Sequence, residues 1–339
     1  MGAYKKRIFY LDELRAIAIF AVILCHVANL FPYLTDSLKV AIPFFCSDLG
    51  RIGVPIFLML SGALLLNREY ELGSFFKRRF SRILIPFVFW VIVIDILKFF
   101  VFGDNITQIW DWSRGVGLTW YIYELIGLYL FIPVLNTFIN KYNMKGVKYF
   151  LVLWIITLLL SAFNIKYFSH LKLQQFAGLM GYMVLGYYLV NTEFKINDKV
   201  MILLGSVMFI VFYIINCHLS LITADTTEYL AITMILQSVG VFLIFKHISS
   251  YSQKNSNSII TKVHNYIENG RIGKALVSIS ICSYGMYFVH YILCQTWKLF
   301  HPHSLKLIPV LLVVTIILSW IITLILSRIP YLENISGVK

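Results

Sequence analysis

The chain has 339 residues, of which 59% are hydrophobic and only 13% are charged. Soluble globular proteins average about 45–50% apolar and about 25% charged residues, so this composition excludes an ordinary water-soluble domain and predicts an integral membrane protein. The formal net charge of +13 favours basic cytoplasmic loops over nucleic-acid binding, because membrane proteins concentrate lysine and arginine on their cytoplasmic side.

Ten apolar stretches follow one another along the chain, so the expected fold is all-α and polytopic, with about ten transmembrane helices. The first stretch follows a basic start and is expected to be a retained helix rather than a cleaved signal. The sixth is the shortest and is a candidate for a tilted or re-entrant segment. The stretches are 8–30, 43–66, 83–103, 118–139, 147–165, 176–192, 200–219, 227–247, 275–298 and 306–327.

The basic residues predict the orientation of these spans. With a cytoplasmic N-terminus, 20 of the 29 lysines and arginines lie on the cytoplasmic side and 8 outside, while Arg15 lies within a span. Both termini are therefore expected in the cytoplasm, which requires an even number of spans. We expect one domain over 1–339 in the cell (cytoplasmic) membrane, with the polar segment 249–274 as a flexible cytoplasmic loop.

The first span carries two polar residues, Arg15 and His26, that lipid does not favour. Eleven residues at about 100° each end ~20° beyond three full turns, so both lie on one helix face, roughly 16 Å apart along the axis. Asp12, three residues before Arg15, can pair with it. One reading is a structural Asp–Arg pair with an interfacial histidine, and the other is a functional face with a cation inside and an imidazole outside.

Other polar residues occur at membrane depth, where a charge costs at least ~2.5 kcal/mol and persists when it faces a partner or a cavity. Each of them can be structural or functional. Asp95 has the weakest functional case because Lys98 follows at i+3. The candidates are Asp48, Arg51, Asp95, Glu124 and His290.

The basic and aromatic segment before the third span has two interpretations. Lys77, Arg79 and Arg82 can anchor the chain at the inner interface as positive-inside residues. They can also bind a phosphorylated cytoplasmic molecule, because arginine forks match phosphate oxygens.

Five cysteines lie in or beside apolar runs without a C-x-x-C spacing, which favours small buried side chains. The sequence contains no visible cluster of metal ligands, and no metal is expected.

An ordered set of motifs resembles the acyltransferase-3 family of membrane-bound acyltransferases. The first-helix signature, a basic residue followed after ten residues by histidine, falls on Arg15 and His26. Many relatives carry His-Leu-Trp before the fourth helix, whereas this chain has Leu118-Thr119-Trp120, which weakens the transfer of any role to that position. The other matching segments are Gly53–Gly62, Phe76–Pro86 with Arg79 and Arg82, Trp120–Tyr129 with Glu124, Gly181–Tyr188 and Ser283–His290.

The resemblance implies transfer of an acyl group, with acetyl as the family default, from cytoplasmic acyl-CoA to a hydroxyl of a cell-envelope sugar or polysaccharide. Arg79, Arg82 and Lys77 would bind the phosphates of the donor, and Arg15 would bind deeper phosphates or orient a carbonyl. His26 would act as general base, since its ordinary pKa near 6.5 suits that task, or would carry the acyl group as nucleophile. Supporting or acceptor-binding roles fall to Asp12, Trp120, Glu124, Tyr284 and His290.

Two other classes of function fit a polytopic chain with polar residues in its spans. A transporter or flippase would use the intramembrane charges for its substrate or for protons, although no paired repeats with broken helices are evident. A non-catalytic sensor is the third class. Acyl-CoA binding from the cytoplasm favours the enzyme, and substrate flux without acyl-CoA favours the transporter.

Overall fold

The structure, a computed structural model, describes residues 7–31, 37–103, 119–163, 178–223, 225–302 and 304–338. In these ranges the regular elements are helices, and a π-helical turn, Lys98–Phe102, continues α4. The helices are α1 (Phe9–Ala28), α2 (Ser37–Arg51), α3 (Gly53–Leu65), α4 (Leu72–Leu97), α5 (Thr119–Ala162), α6 (Met180–Asn191), α7 (Asp198–Thr223), α8 (Ile232–Lys254), α9 (Ile259–Asn269), α10 (Arg271–Leu299) and α11 (Leu307–Arg328).

Seven helical segments in the described ranges are long and apolar enough to cross a membrane. This confirms an all-helical, multi-pass membrane protein, while the count of ten spans and the orientation of the termini stay predictions. The seven segments are Ala41–Leu65, Leu72–Val101, Thr119–Ala162, Asp198–Thr223, Ile232–Lys254, Arg271–Leu299 and Leu307–Arg328.

The difference between seven and ten has local reasons. Helix α1 carries Asp12, Glu13 and Arg15 within its first two turns, so it is too charged to be counted by composition. Helix α6 has 12 residues, or about 18 Å, which is short of the roughly 30 Å hydrocarbon core. Helix α5 has 44 residues and contains both the fourth and the fifth predicted spans.

The break within α5 falls at Asn143, whose φ of 52° and ψ of −146° are non-helical. A positive φ is uncommon for residues other than glycine, and asparagine tolerates it better than most. Without this break the helix would be about 66 Å long, roughly twice the thickness of the hydrocarbon core.

The second and third predicted spans differ in detail from the helices that form them. The second span is built from α2 and α3, which meet at Ile52. Helix α4 begins at Leu72 instead of residue 83, because Glu71 caps it by accepting a hydrogen bond from the Ser74 backbone N–H. The hydrogen bonds from Ser74 lower the pKa of the Glu71 carboxyl. The basic segment is therefore the first part of a continuous helix.

The segment 249–274 differs from the expected flexible loop. Helix α8 continues to Lys254, α9 forms a separate helix and α10 begins at Arg271. Thr261 and His264 of α9 are buried, so this segment packs onto the protein. Its cytoplasmic location stays a prediction, and Leu118 and the span ends at 164–165 and 176–177 lie outside the described residues.

The chain divides into two compact units. The first unit comprises Met1–Leu64 and Met144–Ser280, and the second comprises Leu65–Asn143 and Ile281–Lys339. The expectation of one domain over 1–339 stays a prediction.

Close backbone contacts hold the first unit together. A Cβ at Gly62 would lie 1.8 Å from the Met183 carbonyl oxygen, and a Cβ at Gly205 would lie 2.7 Å from the Gly240 carbonyl oxygen. Small residues allow such close helix packing within membranes, where van der Waals contact replaces the hydrophobic effect.

Aromatic packing holds the second unit together. The Trp90 ring of α4 stacks on the Phe288 ring of α10 with centroids 6.3 Å apart, and its Nε1–H donates to the Ile335 carbonyl oxygen at 3.1 Å. On α10, a Cβ at Gly285 would lie 2.5 Å from Cγ2 of Thr323 in α11. The second unit is thus joined by rings on one side and by a close helix approach on the other.

Candidate functional site

Helix α1 is unbroken from Phe9 to Ala28, so the predicted spacing of Arg15 and His26 holds. Both side chains are partly buried. In a regular helix their eleven-residue spacing keeps them on one face, roughly 16 Å apart along the axis. His26 lies in the last turn.

A chain of polar contacts surrounds the first turns of α1. Asp12 is buried and accepts a hydrogen bond of 2.8 Å from Nη2 of Arg7, with a second contact to Nε. The hydroxyl of Ser280 donates to Oδ1 of Asp12 at 2.6 Å. Nη1 of Arg15 donates to the same hydroxyl at 3.5 Å. Asp12 and Arg15 are therefore linked through Ser280, a residue that the sequence patterns did not single out.

Arg7 supplies a permanent positive charge to this cluster. The hydrogen bond with Asp12 raises the pKa of Arg7 further above its already high ordinary value. Arg7 and Asp12 form an ion pair, so the carboxylate three residues before Arg15 has a cationic partner.

Helix α2 lies against the turn of α1 that precedes His26. A Cβ at Gly50 would lie 2.5 Å from the Ala21 carbonyl oxygen and 2.7 Å from Cβ of Cys25, so the two backbones are in contact. Sγ of Cys25 and Oγ of Ser47 are 3.3 Å apart. The turn of α1 that precedes His26 is thus in close contact with α2.

The three predicted donor-binding cations do not all lie on the same face of helix α4. Arg79 and Arg82 are four and seven residues after the buried Phe75, and they share its side of the helix. Lys77 is exposed and points away from that side. In the described part of the chain, no hydrogen bond or ion pair holds the side chains of Lys77, Arg79 or Arg82, whereas Arg78 donates to Ser74.

The structure brings together several of the supporting residues in the second unit. The ring of Tyr121, next to Trp120, lies 5.6 Å from that of Tyr287, which in turn lies 5.7 Å from the ring of His290. Trp120 and Tyr121 make ring contact at 5.9 Å. Glu124 is partly buried one turn further along α5.

Tyr284 connects two helices of this unit. Its hydroxyl donates to the Ile83 carbonyl oxygen of α4 at 2.9 Å, immediately after Arg82. Its ring meets that of Phe288 edge-on at 5.1 Å. Tyr284 therefore ties α10 to the basic part of α4, and its supporting role in the reaction stays a prediction.

His290 is fully buried, and the geometry assigns its tautomer. Its Nδ1 is 3.0 Å from the Met286 carbonyl oxygen. A carbonyl oxygen only accepts, so Nδ1 of His290 carries a proton and donates it to this carbonyl.

A sequence model described as an acyltransferase domain matches residues 8–324. The chain belongs to the acyltransferase-3 family. Comparisons with curated proteins and with solved structures give no match. Among the residues that the structure describes, no group of three or more His, Cys, Asp or Glu side chains could hold a metal ion.

Membership of this family and the helical structure together make the chain a multi-pass membrane acyltransferase. The sequence patterns located Arg15, His26, Arg79 and Arg82 on helices whose faces the structure then defines. They did not identify Ser280, because its partners lie more than 260 residues away. The roles of all of these residues stay predictions.

Proposed function

We propose that this acyltransferase moves an acyl group, by default acetyl, from cytoplasmic acyl-CoA to a hydroxyl of a cell-envelope sugar or polysaccharide. The observation that carries the proposal is the unbroken α1, with Arg15 and His26 on one face, in a chain whose family match covers residues 8–324. A cation and an imidazole so arranged suit a phosphorylated donor at one end and a proton transfer at the other.

The proposed topology has ten transmembrane crossings, with both termini in the cytoplasm. The protein lies in the cytoplasmic membrane of the cell. Beside the seven candidate segments, α1 and α6 supply two crossings, and the two parts of α5 on either side of Asn143 count separately. This arrangement keeps the positive-inside distribution of the basic residues.

In the proposed reaction, His26 accepts the proton of the acceptor hydroxyl while that oxygen attacks the thioester carbonyl carbon. The carbon–sulfur bond then breaks, and the CoA thiolate takes the proton from His26 and leaves as the thiol. A variant of the same chemistry passes the acyl group through the imidazole nitrogen before the hydroxyl oxygen accepts it. Neither route requires a metal ion.

The axial separation favours one of the two roles for Arg15. Because roughly 16 Å of helix lies between Arg15 and His26, one carbonyl group does not sit within hydrogen-bond distance of both helix positions. We therefore assign Arg15 to the remote, phosphate-bearing part of the donor. Ser280 and Asp12 act as positioning residues for its guanidinium.

Arg79 and Arg82 are the proposed phosphate ligands for the donor. Both lack a competing partner in the described part of the chain and share a face of α4, so two guanidinium forks are available to one anion. Lys77 is a weaker candidate because it points away from that face. Trp120, Glu124 and His290 are left as candidates for supporting roles.

The decisive experiment measures acetyl transfer from labelled acetyl-CoA by the purified protein in lipid nanodiscs. We expect His26→Ala to lower kcat by about 10²-fold or more, as for loss of a general base or nucleophile. Binding of acetyl-CoA should stay within about twofold of wild type, because His26 lies far from the phosphates. Turnover like that of wild type in His26→Ala would eliminate this mechanism.

A transporter is the second candidate function, favoured by Asp48 of α2. This carboxylate is fully buried, and its Oδ2 has no hydrogen-bond partner in the described part of the chain, a feature common in proton-coupled transport. Substrate flux into liposomes without acyl-CoA, lost in Asp48→Asn, would favour transport over transfer.

A further inference from the structure

A cavity of about 680 Å³ opens within the first unit, between the last turns of α5, the end of α7 and the start of α8. Its volume lies in the range of small-molecule sites, about 300–1,000 Å³. The lining combines hydroxyl and apolar side chains with two carboxylates, and includes Ser161, Thr223, Thr226, Leu158, Asp225 and Glu228.

The wall of this cavity is tied to α2. Nη1 of Arg51 donates to Oγ1 of Thr226 at 2.8 Å, and the guanidinium lies 4.2 Å from the centre of the Tyr229 ring. The backbone N–H of Thr227 donates to Oδ1 of the buried Asp48 at 3.0 Å. These contacts fix the segment between α7 and α8 on the C-terminal half of α2.

The same part of α2 contacts the α1 turn that precedes His26, through Gly50 against Ala21 and Cys25. One helix segment, residues 47–51, therefore holds both the cavity wall and the helical turn that carries the proposed reactive imidazole. In the predicted topology this end of the unit faces outward, where an envelope acceptor arrives.

The lining chemistry defines a class of ligand. Hydroxyls can exchange hydrogen bonds with sugar hydroxyls, and the apolar side chains suit the C–H faces of a sugar ring. Asp225 and Glu228 add negative charge, while the described lining contains no lysine, arginine or histidine. The guanidinium of Arg51 behind the wall already donates to Thr226, so the two lining carboxylates outnumber it, and an anionic ligand is disfavoured because like charges repel.

We infer that this cavity binds the acyl acceptor and that the acceptor is a neutral, hydroxyl-rich sugar rather than an acidic one. The inference rests on the proposed function, because it names the acceptor of the same reaction. It adds a location and a charge preference that the family alone does not supply.

The first experiment fills the cavity. Leu158→Trp and Ala231→Trp place an indole in the lining, and Ile214→Trp, 61% exposed on α7, is the matched control. With acetyl-CoA and a neutral glucan oligosaccharide as probe, we expect KM for the oligosaccharide to rise about tenfold or more in the two filled variants only. Unchanged KM in both would overturn the inference.

The second experiment tests the charge preference. The wild-type protein is offered the neutral oligosaccharide and its uronic-acid counterpart, and kcat/KM for each is compared with that of Asp225→Lys/Glu228→Lys. We expect wild type to prefer the neutral probe and the variant to shift the ratio about fivefold or more toward the acidic one. A wild-type preference for the acidic probe would refute a neutral acceptor.

Failure of the cavity inference and failure of the proposed function give different results. Saturation-transfer NMR measures binding of the neutral oligosaccharide without any reaction. If wild type binds it and Leu158→Trp does not, yet no acetyl transfer occurs, the cavity is a sugar site and the reaction is wrong. If the filled variants transfer acetyl as well as wild type does, the proposed reaction stands and the cavity is not the acceptor site.

A second inference comes from α9, whose amphipathic pattern is reversed. Its outward side is apolar, with Ile259 79%, Val263 53% and Tyr266 75% exposed. These residues are four and three positions apart and form one face. A helix on the surface of a soluble protein shows the opposite arrangement.

The polar side of α9 faces the protein. Oγ1 of the buried Thr261 donates to the Asn255 carbonyl oxygen at 2.5 Å. The ring of His264, also buried, meets the Phe9 ring of α1 edge-on at 5.9 Å and lies 4.0 Å from Oε2 of Glu13. The buried side of α9 thus carries Thr261 and His264, whereas its apolar side is exposed.

The exposed apolar face fits a lipid surface, and basic residues flank it. Lys262, Arg271 and Lys274 are exposed on or beside α9, and such residues attract anionic headgroups. We propose that α9 lies in the plane of the membrane interface, with its apolar face among acyl chains and these cations on anionic lipid headgroups.

The test places a photo-crosslinking benzoylphenylalanine at position 266, or at the neighbouring exposed position 265 as control, in nanodiscs. We expect a phospholipid adduct at 266 and little at 265. In nanodiscs that contain both phosphatidylglycerol and phosphatidylcholine, Lys262→Gln/Arg271→Gln should lower the anionic share of adducts, by about fivefold per basic residue. Equal adducts at both positions, or no anionic preference, would contradict the proposal.

Discussion

Arg79 and Arg78 are neighbours on α4, yet their side chains have different surroundings. Arg78 donates to the carbonyl oxygen and the hydroxyl of Ser74 in the preceding turn. Arg79 is partly buried on the same side as Phe75 and Ile83. The two arginines therefore provide a matched pair with equal charge and unequal availability.

We predict that Arg79→Gln raises the Kd for CoA about tenfold or more, since a hydrogen bond to a charged group contributes about 1.5–3 kcal/mol. Arg78→Gln should change it by no more than about twofold, because Arg78 already has a partner. Equilibrium binding of labelled CoA in nanodiscs measures both variants. Equal losses would mean that only the overall positive charge matters.

At the scale of single residues, sequence reasoning succeeded where helical period alone decides. The shared face of Arg15 and His26 depends only on an unbroken helix, and α1 is unbroken. Ser280 was not predicted, because a single serine in an apolar run does not stand out in the sequence. Only tertiary packing brings its hydroxyl to Asp12. Lys77, Arg79 and Arg82 were predicted as one group, and the burial of Phe75 shows which side of α4 packs inward and so separates Lys77 from Arg79.

Helices α7 and α8 approach each other most closely at two glycines. A Cβ at Gly205 would lie 2.7 Å from the Gly240 carbonyl oxygen, and a Cβ at Gly240 would lie 2.6 Å from that of Gly205. Because the obstructing atoms belong to the backbone, neither helix can yield by changing a rotamer.

We predict that Gly205→Ala lowers the free energy of unfolding by about 1–3 kcal/mol, the usual cost of overpacking. The control is Gly127→Ala in α5, where a Cβ meets no atom within 4 Å. That change should be neutral or stabilising, since alanine has the higher helix propensity. Thermal unfolding in detergent compares the two, and similar Tm values would contradict close packing at Gly205.

At the scale of elements, the helices were predictable but their ends were less so. Lys246 falls at the end of the predicted span 227–247, yet α8 continues to Lys254. Its Nζ donates to the carbonyl oxygens of Leu189 and Thr192, the latter at 2.7 Å, and so caps α6 from another helix. A C-terminal helix cap from a residue more than 50 positions away cannot be predicted from the local sequence.

The apolar stretches predicted a polytopic, all-helical chain, and the structure confirms that class. The number of crossings depends on two features that hydropathy reads poorly. Charges at the start of α1 reduce its apparent hydrophobicity, and a break at Asn143 divides α5 without a polar loop.

For the whole molecule, we predict cytoplasmic termini. A green fluorescent protein fused after Val338 should fluoresce in bacterial cells, because it folds in the cytoplasm. An alkaline phosphatase fused after Phe300, between α10 and α11, should be active, because that enzyme matures outside. The reverse pair of signals would show an inverted topology and would put His26 at the cytoplasmic end.

The first unit combines Met1–Leu64 with Met144–Ser280, which has a consequence for synthesis in the cell. At about 5–20 residues per second, roughly 15–50 s separate the appearance of Arg15 from that of Ser280. During that interval the nascent first helix carries charges without one of its final partners. Arg7, five residues from Asp12, emerges before it, so a local ion pair can shield that carboxylate while the rest of the chain is made.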